Sequence, residues 1–144
     1  MESILEMITS PTGLHHICRN DLIDVFQDLA AEMNGEGCEI GKEGCNWLVK
    51  ELTRIGNPPV QEESDGSFVM KFSSGAECDC RYYYSPDKGL YLAIVDVISL
   101  MEKVKKDCEN CDDEMMRDDS MKVYDFMLMV LNAIDKQAKE ARMN

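Results

Sequence analysis

Two cysteine pairs are the residues whose spacing could do chemistry: Cys78-x-Cys80 and Cys108-x-x-Cys111. Structural zinc takes four thiolates or imidazoles in a tetrahedron, and two such pairs could supply two ligands each. The CxC pair is poorly spaced for this. On a strand its sulfurs share one face about 7 Å apart, so the strand would have to bend around the ion. The CENC segment also has the form of a thiol–disulfide centre, which needs a lowered thiolate pKa. Glu109, Asp112, Asp113 and Glu114 surround it and would raise that pKa instead. The four cysteines are therefore weak metal candidates, and no cofactor is expected.

Other chemistry fails on pattern. The run NGEGCEIGKEG (residues 34–44) has four glycines but neither GxxxxGK[ST] nor GxGxxG, and its three glutamates repel phosphate. The acidic DDEMMRDD lacks the order and central glycine of a calcium loop. His15 and His16 are adjacent, so on a helix they point in different directions and cannot easily share an ion. With no GxSxG or HExxH either, the chain reads as a non-enzyme.

Charge is the strongest remaining signal. Twenty-eight acids against fifteen bases give −13, which repels nucleic-acid phosphate and favours a basic protein surface. The densest basic cluster, Lys103, Lys105 and Lys106, is followed at once by acids. Two acidic segments are the expected contacts of such a partner: Asp112, Asp113, Asp118 and Asp119, and Glu62, Glu63 and Asp65. Trp47, the only tryptophan, reads as half-buried core and is also the residue type that anchors interfaces. Tyr83, beside Arg81, points opposite its neighbours in the YYY run, either on an outer, protein-binding surface or on a second buried face of a sheet covered by helices on both sides.

The elements that must position these residues follow from periodicity. Ile4, Leu5 and Ile8 have helical spacing before Pro11 and Gly13. From Leu14 to Met33 apolar residues recur with a 3.6 period, while Asp21, Asp24, Asp28 and Glu32 form the opposite, solvent side. This helix, with the histidines in its first turn, ends at Asn34-Gly35, and residues 34–44 read as loop. A second helix carries Cys45, Leu48, Val49, Leu52 and Ile55, capped by Gly56 before Pro58-Pro59.

Residues 60–66 read as acidic loop. SFVMKFS (67–73) and ECDCRYYY (77–84) alternate as strands around Ser74-Gly75. SPDKG (85–89) either starts a helix at Ser85-Pro86 or turns a second hairpin. The second version, a strand over 90–95 and then a helix over 96–108, is preferred, because a lone two-stranded ribbon is marginal.

The last helix, residues 121–138 with Asp118, Asp119 or Ser120 as its cap, contains VYDFMLMVLNAI (123–134). Ten of those twelve residues are apolar, so it reads as a core helix buried on most sides.

The expected architecture is α+β: two N-terminal helices, a small antiparallel hairpin or three-stranded meander, and two C-terminal helices, in one domain over residues 1–144. Helix–helix–hairpin order is outwardly like a winged helix, but no basic recognition helix accompanies it. The start carries two glutamates and no base, and no apolar run exceeds six residues, so neither a secretory n-region nor a membrane span is expected. Seven cysteines, an odd number, point to reduced thiols in a cytoplasm. The functional expectation is a small acidic protein-binding module without direct nucleic-acid contact. An inhibitor of the phage anti-defence or immunity type, occupying a basic site on a nucleic-acid-processing enzyme, fits that description. The alternatives are an acidic, homodimeric adaptor or chaperone-like regulator, and a small zinc-binding module.

Overall fold

The computed structural model describes residues 7–9, 15–55, 62–110 and 113–143. In order the elements are β1 (Met7–Thr9), β2 (His15–Cys18), α1 (Arg19–Gly35), α2 (Glu39–Arg54), β3 (Ser64–Lys71), β4 (Glu77–Ser85), β5 (Gly89–Ala93), α3 (Ile94–Glu109) and α4 (Glu114–Met143). The strands form one antiparallel sheet in the order β1-β2-β5-β4-β3. The fold is α+β, with two helices before the main hairpin and two after it.

The meander is present as β3–β4–β5. Gly89, at φ +90°, makes the SPDKG turn a hairpin, because that backbone is strained for any residue with a Cβ. Two strands extend it that periodicity did not reveal. Met7–Thr9, expected in a helix, pairs with β2, and His15–Cys18, expected as the first helical turn, pairs with β5. Four residues are too few to show a period. Long-range pairing decided their state, and α1 starts at Arg19 instead.

One face of the sheet carries Ile17, Met70, Cys80, Tyr82, Leu90 and Leu92. It joins a single apolar cluster with Leu22 and Phe26 of α1, Leu48 and Leu52 of α2, Val97 and Met101 of α3, and Met127 and Leu131 of α4. On the opposite face His16, Cys18, Tyr91 and Ala93 are also buried. The centre of the sheet is thus covered on both sides, whereas β3 is mostly exposed.

The glycine-rich stretch is only partly loop, because α2 begins at Glu39. Glycine costs about 1 kcal/mol in a helix, and here close packing compensates. A Cβ on Gly44 would stand 2.7 Å from Met127 Sδ, and one on Gly41 2.9 Å from Met33 Sδ and 3.2 Å from Phe126 Cζ. The two glycines let α2 lie against α1 and α4. The acidic loop over 60–66 is likewise shorter than expected, since β3 starts at Ser64.

The last helix is longer and less buried than its composition suggests. It begins at Glu114, with the Arg117 amide bonded to Asp113 O at 2.9 Å, so Asp118, Asp119 and Ser120 lie within it and do not cap it. Met115, Met116 and Arg117 are good helix formers, and acids suit a helix start. Among its described side chains the buried ones are the apolar stripe Met127, Leu131, Ile134 and Ala138, and Asp135 beside it. Met129 is 60% exposed, Asp125 pairs with Lys105 at 2.6 Å, and Asn132 bonds back to Leu128 O. Methionine and aromatic residues on the flanks raise the apolar count without being core. The Gly56 cap, Pro58-Pro59, and the apolar residues before Met7 lie outside the described residues.

Candidate functional site

The two acidic segments are placed at different ends of the sheet. Glu62 and Glu63 precede β3, and Asp65 lies in it opposite Tyr83. All three are exposed. The Tyr83 hydroxyl donates to Glu63 Oε1, and the Tyr83 ring meets Tyr91 edge-on at 6.1 Å. The hydrogen bond to Glu63, followed by burial and the charges of Glu63 and Asp65, pushes the Tyr83 phenol up. Tyr83 is half-buried and tied into this acidic end, so it is not a free outward anchor.

At the other end, α3 runs past β4 and carries the chain to α4. Lys103 Nζ donates to Glu77 O at 2.9 Å, at the far end of β4 from Tyr83. Beyond it, Asp113, Glu114, Met115, Asp118, Asp119 and Lys122 line a shallow depression of about 540 Å³ at the start of α4. Asp118 lies 3.8 Å from the Arg117 Nε. Asp112 lies outside the described residues.

Trp47 joins neither acidic set. Its ring packs edge-on against Phe72 at 5.4 Å and tilted against Tyr124 at 5.7 Å, half-buried where α2 meets the sheet and α4. Its outer side lines a mixed-charge cleft with Glu39, Lys42, Glu43, Asn46 and Lys50.

The cysteines are dispersed. Cys80 is fully buried and Cys78 half-buried, both on the core face of β4. Cys78 Sγ lies 3.6 Å from Asp96 O in the first turn of α3, whereas Cys108 is in its last. Twelve residues of helix place them about 18 Å apart along the axis. Cys111 lies outside the described residues. Among the described residues, no group of three or more His, Cys, Asp or Glu could hold a metal ion. Burial, with Asp96 nearby, pushes the Cys80 thiol up to about 12, and burial with Cys38 nearby pushes Cys45 up to about 11. Neither suits a nucleophile.

Two features go beyond the expected contacts. The first is a part-buried ion pair between β4 and the start of α3. Asp96 Oδ2 accepts from the Arg81 amide at 2.9 Å and Nε at 2.8 Å, and Oδ1 accepts from its terminal nitrogen at 2.8 Å. Desolvation pushes the Asp96 carboxyl up, but the hydrogen bonds and charge of Arg81 outweigh it and hold the carboxyl below its ordinary range. Because β5 ends at Ala93, the carboxylate takes the strand amide where the ladder stops. No spacing rule links residues fifteen apart on different elements.

The second is the solvent side of α1. Asp24, Asp28, Glu32 and Glu36 are exposed and recur every four residues, and α1 carries no base after Arg19. None of the ion pairs among the described residues involves them. Like charges at this spacing repel by a few tenths of a kcal/mol per pair. The spacing was plain in the sequence; the missing signal was that, among the described residues, no base of another element pairs with it.

No helix among the described residues is long and apolar enough to cross a membrane. No protein-family model, curated protein or solved structure matches the chain.

Proposed function

We propose that this is a non-enzymatic, acidic protein-binding module that occupies a basic surface of a protein partner in the cytoplasm. Inhibitors of nucleic-acid-processing enzymes, such as phage anti-defence and immunity proteins, work in this manner, and the module is assigned to that class. The observation that carries the reading is the ridge of Asp24, Asp28 and Glu32 on α1, continued by Glu36 at its C-terminal cap, exposed and in no ion pair among the described residues. Such a ridge costs the isolated fold stability and gains it back only against positive charge. The exposed acids at the start of α4 and before β3 broaden the negative field that steers a basic partner.

The test is capture from host lysate on the immobilised chain, followed by stepwise salt elution and mass spectrometry. Partners should leave between low and high salt, because exposed charges are screened beyond about 8 Å at physiological ionic strength. The triple variant D24N/D28N/E32Q should lose them, mainly through slower association. Retention of the same partner by that variant and by D118N/D119N and E62Q/E63Q/D65N would refute the electrostatic reading. Binding would then lie in apolar surface such as Met129, Met115 and Ile40, 60%, 77% and 40% exposed, which favours the adaptor reading.

A further inference from the structure

β3 is eight residues long, stands at the edge of the sheet and, among the described residues, pairs with β4 alone. Edge strands of this length are ordinarily shortened, bulged or covered, because their outer N–H and C=O groups accept another strand. The groups that point outward can be identified. The Phe72 amide bonds to Ala76 O at 2.9 Å, and alternate residues of an antiparallel strand direct their backbone groups the same way. Ser64, Gly66, Phe68 and Met70 therefore bond to β4, while Asp65, Ser67, Val69 and Lys71 present theirs to the open edge.

We infer that this edge pairs with β3 of a second copy of the chain, antiparallel, about a two-fold axis at Phe68. Only registers that set an outward residue against an outward residue form a hydrogen-bonded ladder. The register centred on Phe68 uses all four. Asp65 faces Lys71 of the second copy, Ser67 faces Val69, and both pairs recur across the axis. That gives four hydrogen-bonded pairs of two bonds each. A shift of the axis to Ser67 or Val69 strands one end of the ladder.

Side chains agree with this register. Asp65 and Lys71, the two charges of the strand, become opposite-charge cross-strand partners on both sides of the axis. Val69, 59% exposed in one copy, lies beside Ser67 and diagonal to Val69 of the other. On the core face, Phe68 packs on Tyr82 at 5.8 Å and is only half-buried. At the axis the two Phe68 residues form a non-hydrogen-bonded pair, the closer kind, and cover each other. The occupant is a second copy because the strand is complementary to itself in charge and in backbone register at once. A self-complementary patch is what a two-fold interface requires.

The experiment is sedimentation velocity over about 1–500 µM, a range that brackets the weak end of standard interfaces. The wild-type chain should pass from monomer to dimer. Ser67→Pro removes an outward N–H, which an edge strand tolerates, and should leave a folded monomer at every concentration. Asp65→Lys and Lys71→Asp should each weaken the dimer by about tenfold or more, through like charges placed opposite each other. The double variant, whose net charge is that of the wild type, should restore it to within about threefold. If Ser67→Pro loses its cooperative melt, the charge exchange decides alone. A wild-type monomer throughout the range overturns the inference. So does a dimer that ignores the single charge changes.

Discussion

Replacing Asp96 tests how the helical and strand halves of the fold are joined. In Asp96→Ala three donors lose their acceptor: the Arg81 amide and two guanidinium nitrogens. The amide is the costliest loss, about 1–3 kcal/mol for a part-buried backbone donor left without its partner. The guanidinium is cheaper, because the Arg81 side chain is 46% exposed and water replaces the carboxylate; at most about 1 kcal/mol belongs there. An acid in the first turn of α3 adds a few tenths more. The expected loss is therefore about 2–4 kcal/mol, a large part of the 5–15 kcal/mol typical of a domain. Asp96→Asn, which keeps an oxygen for the amide but no charge, should lose less. Because the carboxyl titrates lower when folded than its ordinary value of about 3.9, its stabilisation is complete at neutral pH. That stabilisation fades as pH falls below the ordinary value and is gone once pH passes the folded one. Urea melts of both variants at pH 7 and across pH 5 to 2 would read this out. The gap between wild type and Asp96→Asn should narrow on acidification. A loss under about 0.5 kcal/mol in Asp96→Ala, or a gap independent of pH, would refute the account.

Leu131 is fully buried in the α4 stripe, and Leu131→Asp should abolish the cooperative melt, since an unpaired buried carboxylate costs several kcal/mol. A soluble, cooperatively melting variant would show that α4 docks loosely. Gly44→Leu should destabilise by more than about 2 kcal/mol despite leucine's better helix propensity, because even a Cβ meets Met127 at 2.7 Å; a neutral melt would mean that α2 and α4 separate readily. In native protein at pH 8, iodoacetamide should modify the half-buried Cys38 and Cys108 well before Cys45 and Cys80, whose thiols are buried and stay protonated. Equal rates by mass spectrometry would contradict their burial. Elemental analysis should find no stoichiometric zinc; one ion per chain, lost on Cys78→Ser/Cys80→Ser, would reverse that expectation.

Elements were legible where a period ran long enough to be counted. The twenty residues to Met33 and the alternation of Phe68, Met70 and Phe72 located α1 and β3, but not their starts, which fall at Arg19 and Ser64. Where a state was set by partners far along the chain, it was not legible. The four residues of β2 read as helix because Leu14, Ile17, Cys18 and Leu22 share that spacing, yet Ile17 and Cys18 are held opposite Leu92 and Tyr91. Gly41 and Gly44 read as loop by local propensity, and only the contact with Met33, Phe126 and Met127 shows why the helix keeps them. Propensity is a weak prior for the same reason in both cases: a tertiary contact worth a few kcal/mol exceeds a local preference of about one.

The same asymmetry applies to the surface. Residue type finds acids, but an acid matters to a partner only if its own fold has not already paired it. Asp96, Glu51 and Asp125 are all spent inside the molecule, on Arg81, on the Ser73 turn and on Lys105. Glu63 is engaged by Tyr83. Counting charge along the sequence weights these equally with Asp24, Asp28 and Glu32, although only the latter present their full field to solvent. The α1 ridge therefore ranks above the segment before β3 as the contact for a basic partner. Where the two differ in a binding measurement, neutralising α1 should have the larger effect on association rate. The reverse order would place the partner at the Tyr83 end, next to the open edge of β3, where partner and second copy would compete for the same strand.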